Sequence, residues 1–396
     1  MNQVIKKRIE DINNGIVPEG YKQTPFGIFP CDWETKCLDD ICVMQGGGTP
    51  DTKNQYYWQG DIPWISSSDL NEDDYYNVNI TRYITQDAVK KSATKVCPSN
   101  SIALVTRVGV GKIALIDRQY CTSQDFTNII DTKCYTLYLL YQLKSVINRK
   151  LKECQGTSIK GITTKELQKL QIDIPQKEIE QSKIAEILMK WDEAVELQEQ
   201  YIQKLELRKK AIMKKLLTPK DDWKSVQVKD IFEITRGQVL PISACNNSYQ
   251  HPVYSSQTAN NGLMGYYHEY LFEDCITWTT DGANAGEVKF RKGKFYCTNV
   301  CGVLKSVEGF ANECVAYIIN SVSKSYVSYV GNPKLMNNTM GNIKILLPTI
   351  EEQKHISNFI EVVDEEISLQ KEKLDRIKIQ RKAMQQYLLT GIVRVG

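Results

Sequence analysis

The chain has 396 residues, of which 42% are hydrophobic and 24% charged, with a formal net charge of +3. That length exceeds one ordinary core, so two or more domains are expected, and the composition excludes a disordered or fibrous chain. The near-neutral balance excludes a uniformly basic surface but is compatible with a local basic groove. The 12 cysteines form no CxxC pair, and the histidines, His251, His268 and His355, are widely separated, which argues against a zinc site. No run is long and apolar enough to span a membrane, so the expectation is a soluble, cytoplasmic protein with reduced thiols.

Along the chain, Val4, Ile5, Ile9 and Ile12 have helical spacing. They predict a short helix packed against the C-terminal end. Polar loops follow at Gln45-Gly-Gly-Gly-Thr49, Ser66-Ser67-Ser68-Asp69 and Thr106-Arg107. Short apolar runs at Ser101–Thr106 and Lys112–Ile116, split by glycines, read as strands, and Tyr135–Lys152 as an amphipathic helix. The next element, Glu180–Thr218, carries apolar residues at alternating steps of four and three: Ile184, Leu188, Trp191, Val195, Ile202, Leu205, Ile212 and Leu216. This is the seam of a coiled coil. The run ends in a basic cluster including Arg208, Lys209 and Lys210, which the helix dipole alone favours.

The second half repeats this plan. Displacement by 172 residues places Glu180-Gln181 on Glu352-Gln353, Asp192-Glu193 on Asp364-Glu365 and Leu216-Leu217-Thr218 on Leu388-Leu389-Thr390. The second seam is Ile356, Ile360, Val363, Ile367, Leu374, Ile377, Met384 and Leu388. Both seams are interrupted at the same two places, by Gln198/Gln370 and by Lys209/Arg381. The two amides could meet across antiparallel helices. The two cations are expected to extend their charged heads out of the seam. Each helix would be about 50 Å long. A proline precedes each copy, Pro175 and Pro348, and fainter landmarks repeat further upstream. Asp32-Trp33 answers Asp222-Trp223, Ile62–Ser67 answers His251–Ser256, and Cys121-Thr122 answers Cys297-Thr298. Strands at Cys275–Thr279 and Glu287–Phe290 and a helix at Ala311–Val327 complete the second copy. The expected fold class is α+β: two mixed domains separated by two long helices packed as an antiparallel coiled coil, with an internal pseudo-two-fold.

Signatures of catalysis are weak. There is no GxxxxGK[ST] loop, no strand–GxGxxG–helix unit and no Asn/Asp-Pro-Pro-aromatic run. Asp281 with Glu287-Val-Lys289 is the nearest approach to a metal-dependent nuclease cluster. The loops are instead rich in Arg, Asn, Gln, Ser, Thr and Gly, residues that read base edges or let the backbone approach phosphates.

Several segments resemble the specificity subunits of Type I restriction-modification systems: the opening Lys6–Trp33, the run Gly156–Pro175 leading into Ile179–Leu188, its second copy Gly341–Ile360, and the stretches Tyr254–Phe272 and Thr280–Gly286. The resemblance implies an N-terminal helical segment at 1–20 and target recognition domains at 21–175 and 220–348. It places the coiled-coil helices at 176–219 and 349–396. Each recognition domain would read one half of a bipartite double-stranded DNA site, with half-sites about 34 Å apart on one face. The implied partners are two methyltransferase subunits, which carry S-adenosylmethionine, and translocating restriction subunits. The chain itself would hold no cofactor or metal and catalyse nothing. Candidate DNA-contacting residues in the first half are Gln45, Thr49, Ser66, Ser67, Ser68, Asp69, Thr106, Arg107, Lys112, Ser158 and Lys160. Those in the second are Arg236, Tyr254, Ser255, Ser256, Gln257, Asn260, Asp281, Asn284, Lys334 and Asn337. The alternatives are a metal-dependent nuclease and a coiled-coil adaptor that binds only protein.

Overall fold

The computed structural model describes residues 3–153, 161–256, 259–306 and 308–395. No helix among them is long and apolar enough to cross a membrane. The chain forms two compact units: residues up to Gln198 together with those from Leu374 onward, and Glu199–Lys373.

The first unit opens with α1 (Gln3–Asn13), β1 (Tyr21–Thr24), β2 (Gly27–Pro30), β3 (Trp33–Cys37), α2 (Leu38–Ile41) and β4 (Cys42–Gly46). It continues through β5 (Ile62–Ile65), β6 (Arg82–Ile84), α3 (Gln86–Lys91), β7 (Ser101–Val105), β8 (Ile113–Ile116), β9 (Cys121–Thr122) and β10 (Phe126–Thr132). Then come α4 (Thr136–Glu153), α5 (Thr164–Gln168), β11 (Gln171–Pro175) and the first part of α6 (Glu178–Leu216). One sheet has the order β4-β10-β7-β8, a second β6-β5-β9, and β11 pairs with β3. Helix α4 fully buries Tyr138, Leu139, Leu140 and Leu143 in the same core as Trp33, Ile184 and Leu388. Each such side chain contributes roughly 1.5–3 kcal/mol by leaving water. The N-terminal helix forms as its spacing predicts, and Arg8 Nη1 donates to the Ile392 carbonyl at 2.8 Å. No α1 residue is fully buried, and Val4 is exposed, while Ile5, Ile9 and Ile12 are half-buried.

The second unit holds β12 (Lys224–Gln227), α7 (Val228–Ile231), β13 (Glu233–Arg236), β14 (His251–Tyr254), β15 (Leu263–Tyr267), β16 (Phe272–Thr279), β17 (Val288–Cys297) and β18 (Cys301–Lys305). It ends with α8 (Glu313–Ser323), α9 (Asn337–Asn342), β19 (Lys344–Leu347) and the first part of α10 (Ile350–Leu389). Its sheet order is β13-β18-β16-β17-β14-β15, with β12 on β19. This is the first unit's plan with β8 and β9 fused into one strand. Strand β17 therefore runs to Cys297, past the expected end at Phe290. Gly293 at φ +74 and an irregularity opposite Glu273–Cys275 absorb the extra length.

Small repeated motifs hold equivalent joints. Gln181 Nε2 donates to the Pro175 carbonyl at 2.8 Å, while its Oε1 accepts from the Tyr135 amide at 2.8 Å. Gln353 Nε2 donates to the Pro348 carbonyl at 3.0 Å and its Oε1 accepts from Asn312 Nδ2 at 3.0 Å. Both amides are buried. The Glu-Gln pair repeated in the sequence is thus a buried clasp between each long helix and the preceding strand, which satisfies backbone groups that burial would otherwise penalise.

In each unit half of α6 lies antiparallel to half of α10. In the first, Glu180 meets Arg394 and Asp192 meets Arg381, so one chain ascends as the other descends. In the second, Glu206 meets Lys371 and Lys209 meets Asp364. Every residue of both predicted seams is buried or half-buried, whereas Leu197, Leu207, Leu369 and Ile379 are exposed.

The two cationic interruptions of the seams depart from expectation, as the glutamine positions do not. Gln198 is buried, but its counterpart Gln370 is only half-buried. Gln370 Nε2 donates to Glu366 Oε1 at 2.8 Å, on its own helix. Side chains four residues apart are neighbours on a helix face, which is what brings this carboxylate and amide together. The expectation that Lys209 and Arg381 extend out of the seam is corrected. Lys209 Nζ lies 2.5 Å from Asp364 Oδ1 and 2.7 Å from the Tyr317 hydroxyl. Arg381 Nε lies 2.5 Å from Asp192 Oδ1, which is paired by charge rather than by an aligned hydrogen bond. Tyr141 donates to Asp192 Oδ2 at 2.5 Å. Both cationic side chains are only 14% exposed. The cations stay in because the repeat supplies each with an acid from the other copy.

Candidate nucleic-acid interface

A small backbone framework recurs in both units, where the first strand of the sheet ends against the turn before its neighbour. In the first unit Gly47 N donates to Phe126 O (3.3 Å), Gly48 N to Thr122 O (2.8 Å), Thr106 N to Asp125 O (2.8 Å), Ile162 N to Thr106 O (2.7 Å) and Ser123 N to Ile65 O (2.9 Å). In the second, Gly237 N donates to Cys301 O (3.0 Å), Gln238 N to Cys297 O (3.1 Å), Thr280 N to Val300 O (3.0 Å), Leu335 N to Thr280 O (2.9 Å) and Thr298 N to Tyr254 O (2.9 Å). These bonds define residue-by-residue equivalence. They place Thr122 on Cys297, so the pairing of Cys121 with Cys297 read from the sequence is off by one residue. A cysteine happens to precede the framework position in one copy and to occupy it in the other.

In the first unit the framework walls a cleft of about 610 Å³ lined by residues that include Gly46, Gly47, Thr106, Arg107, Gln124, Gly161 and Lys165. Two of the three glycines expected to approach phosphate face the interior instead. A Cβ on Gly47 would lie 2.0 Å from Ser123 O, and one on Gly48 2.5 Å from the Ala93 carbonyl carbon. Only at Gly46 is the space open. Thr106 is buried, its hydroxyl 3.3 Å from Asp125 O. Arg107 is exposed, and its guanidinium has no hydrogen bond or ion pair among the described residues. Thr49 donates to Gln124 Oε1.

Other candidates of the first unit serve as braces. Gln45 Nε2 donates to Val96 O at 3.1 Å. Ser66 donates both its amide and its hydroxyl to Asp69 Oδ2 at 2.7 Å, and Ser66 Oγ lies 2.9 Å from Ser68 Oγ. Asp69 is buried beneath Arg82. Lys112 Nζ donates to the Ser67 and Leu70 carbonyls at 3.1 and 2.9 Å, which pins that loop. Ser158 and Lys160 lie outside the described residues.

In the second unit the equivalent corner brings several predicted residues together. Arg236 Nε donates to Asn337 Oδ1 at 3.1 Å. Asp281 Oδ2 lies 2.6 Å from Thr280 Oγ1, and Asp281 Oδ1 lies 3.9 Å from Lys334 Nζ. Ser255 Oγ accepts from Thr298 Oγ1 at 3.1 Å, and Asn284 Nδ2 donates to Ser256 O at 3.0 Å. Arg291 stacks 3.7 Å from the Tyr254 ring centroid, and burial pulls its guanidinium below the usual value. Gln257 and the side chain of Asn260 lie outside the described residues.

The acids considered for a nuclease have separate partners: Asp281 faces Lys334, while Glu287 pairs with Lys289 at 2.7 Å. Among the described residues no group of three or more His, Cys, Asp or Glu is placed to hold a metal ion. The described cysteines are all free, and burial pushes the Cys97 and Cys301 thiols up to about 11.

Sequence reasoning missed the exposed turn tips Gln124 and Asn299, which are equivalent by the framework bonds. The signal was present in the repeated Thr-Ser/Cys-Thr approach to each tip, but the one-residue slip concealed it.

Comparison with known proteins agrees with this geometry. The chain is 32% identical over 253 residues to the Type I restriction enzyme MjaIX specificity subunit of Methanocaldococcus jannaschii, covering 59% of this chain and 57% of that one, a little over half its length. Its fold matches the crystal structure of a Type-I restriction-modification system S subunit from M. genitalium with a TM-score of 0.60, at 18% identity over 90% of this chain and 96% of that one. It also matches, again at 0.60, a chain from a structure concerned with complex assembly and conformational transition of the type I R-M system, at 16% identity over 92% of this chain and 99% of that one. The family described as Type I restriction modification DNA specificity domain matches twice, over residues 30–207 and 220–379, one match for each copy of the repeat. The chain therefore belongs to the Type I restriction-modification DNA specificity family.

Proposed function

We propose that this chain is the non-catalytic DNA-recognition subunit of a Type I restriction-modification complex in the cytoplasm. Residues 21–175 and 220–348 act as the two target recognition domains, each reading one half of a bipartite duplex site. Residues 176–219 and 349–396 form the helical scaffold, preceded by the segment 1–20. Two methyltransferase subunits dock on the scaffold, one per copy of the repeat, and supply S-adenosylmethionine and the methyl-transfer chemistry. Restriction and translocase subunits join that core. The observation that carries the reading is the shared backbone framework filled with unlike surface side chains. A fold copied to that level but diverged at its exposed corner suits two readers of unrelated sequences. Loops rich in amides, hydroxyls and arginine have the chemistry to read base edges.

The test is a gel shift and methylation assay on the chain reconstituted with its methyltransferase partner. The complex is expected to bind and methylate one bipartite sequence. The isolated chain is expected to leave DNA intact in Mg²⁺. Cleavage abolished by Asp281→Ala would favour the nuclease, and sequence-independent behaviour of the complex would favour a protein-only adaptor.

A further inference from the structure

The framework makes a comparison possible that neither unit allows alone. At the turn tip, Gln124 stands where Asn299 stands: an exposed carboxamide in both units. One residue beyond the framework threonine, Arg107 stands where Asp281 stands. At the end of the first strand, Gly46 stands where Arg236 stands, paired to Thr127 and Gly302 respectively.

Each position can be weighed against its possible roles. A phosphate contact calls for a cation in both copies, and Asp281 would repel phosphate. A purely structural role calls for internal partners: Asp281 has them in Thr280 and Lys334 and Gln124 in Thr49, whereas the Arg107 guanidinium has none among the described residues and both carboxamides are exposed. Base reading calls for side chains that differ where the sequences read differ, on a rigid support. The support is rigid in both units, because the framework threonines are buried and Gly47 and Gly237 leave no room for a Cβ. In the first unit Thr49 occupies the oxygen of Gln124, which leaves Nε2 to donate elsewhere. The Ser66–Asp69 loop, by contrast, is closed on itself by hydrogen bonds.

We propose that these two equivalent corners are the base-reading surfaces of the chain, and that Gln124 with Arg107 in the first, and Asn299 with Asp281 in the second, fix which bases each half-site accepts. The chemistry follows from the side chains. A carboxamide is complementary to the major-groove edge of adenine, a guanidinium to guanine, and a carboxylate to the amino group of cytosine. Arg236, held by Asn337, brings a guanidinium to the second corner from a position that is Gly46 in the first. The assignment rests on the proposed DNA-recognition reading and narrows it to named positions.

The experiment uses the complex with its methyltransferase and reads the modified site by methylation-sensitive sequencing. The unsubstituted complex is measured first. Arg107→Ala and Gln124→Ala are each expected to relax base choice at one position of one half-site, with about a tenfold lower methylation rate on the original sequence. Asp281→Ala and Asn299→Ala should do the same in the other half-site only. Lys90→Ala, exposed on α3 of the first unit, should leave the site unchanged. Should an alanine variant not fold, Arg107→Lys and Gln124→Asn are measured in the same way. A site unchanged in all four variants, or a uniform loss over all sequences without relaxed base choice, would overturn the assignment while leaving the DNA-recognition reading intact. A parent complex that methylates no bipartite sequence would overturn both.

Discussion

Arg381→Ala is expected to lower the unfolding free energy by about 3–5 kcal/mol, because it strands the Asp192 carboxylate in the interior. The two side chains are 14% and 11% exposed, so solvent screens the pair little. Burial outweighs Arg381 and holds the Asp192 carboxyl above its usual range. A folded value raised in this way favours the protonated acid at low pH, and that stability is lost as pH rises through the folded value. Asp192→Asn mimics the protonated form and keeps an acceptor for Tyr141, so it should cost distinctly less than Arg381→Ala near neutral pH. The equivalent Lys209→Ala should cost less again, since Asp364 is 49% exposed and can be rehydrated. Denaturant unfolding of the three variants checks the order. Equal losses in all three would contradict the view that burial of the acid sets the penalty.

The second large effect concerns the corner. Gly47→Ala and Gly237→Ala would each drive a Cβ to within 2.0 or 2.2 Å of a backbone carbonyl oxygen. A backbone atom held by hydrogen bonds cannot step aside as a side-chain tip can, so a cost of about 3 kcal/mol or more is expected for each. Gly46→Ala meets nothing within 4 Å and should leave the melting transition unmoved. Thermal melts of the three proteins test this directly. Equal transitions would mean that the close approach at Gly47 relaxes without cost.

The contrast among these glycines shows where sequence reading ends. The run Gly46-Gly47-Gly48 looks like one permissive loop, yet only its first member faces open space. A three-dimensional neighbour, the Thr122–Ser123 turn, decides the matter, and nothing local in the sequence names it. The helical seams were legible, because a coiled coil writes its contact surface as a period. The partners of the cationic seam residues were not. The pairing of Lys209 and Arg381 was hidden although both acids were visible as the repeated Asp192 and Asp364. Antiparallel register sets each cation opposite the acid of the other copy, and a one-dimensional alignment places it beside its own. The candidate loops were found as loops. Their division into braces, such as Lys112 and Ser66, and outward-facing groups, such as Arg107, depends on hydrogen bonds that composition does not predict.

The central claim, that each copy of the repeat reads its own half of one DNA site, is tested most directly by exchanging one domain. Residues 220–348 would be replaced with the corresponding segment of a specificity subunit that reads a different sequence. The site methylated by the reconstituted complex would then be determined. The account predicts that one half-sequence changes to that of the donor while the other is retained. A change in both halves, or in neither while methylation persists, would contradict it.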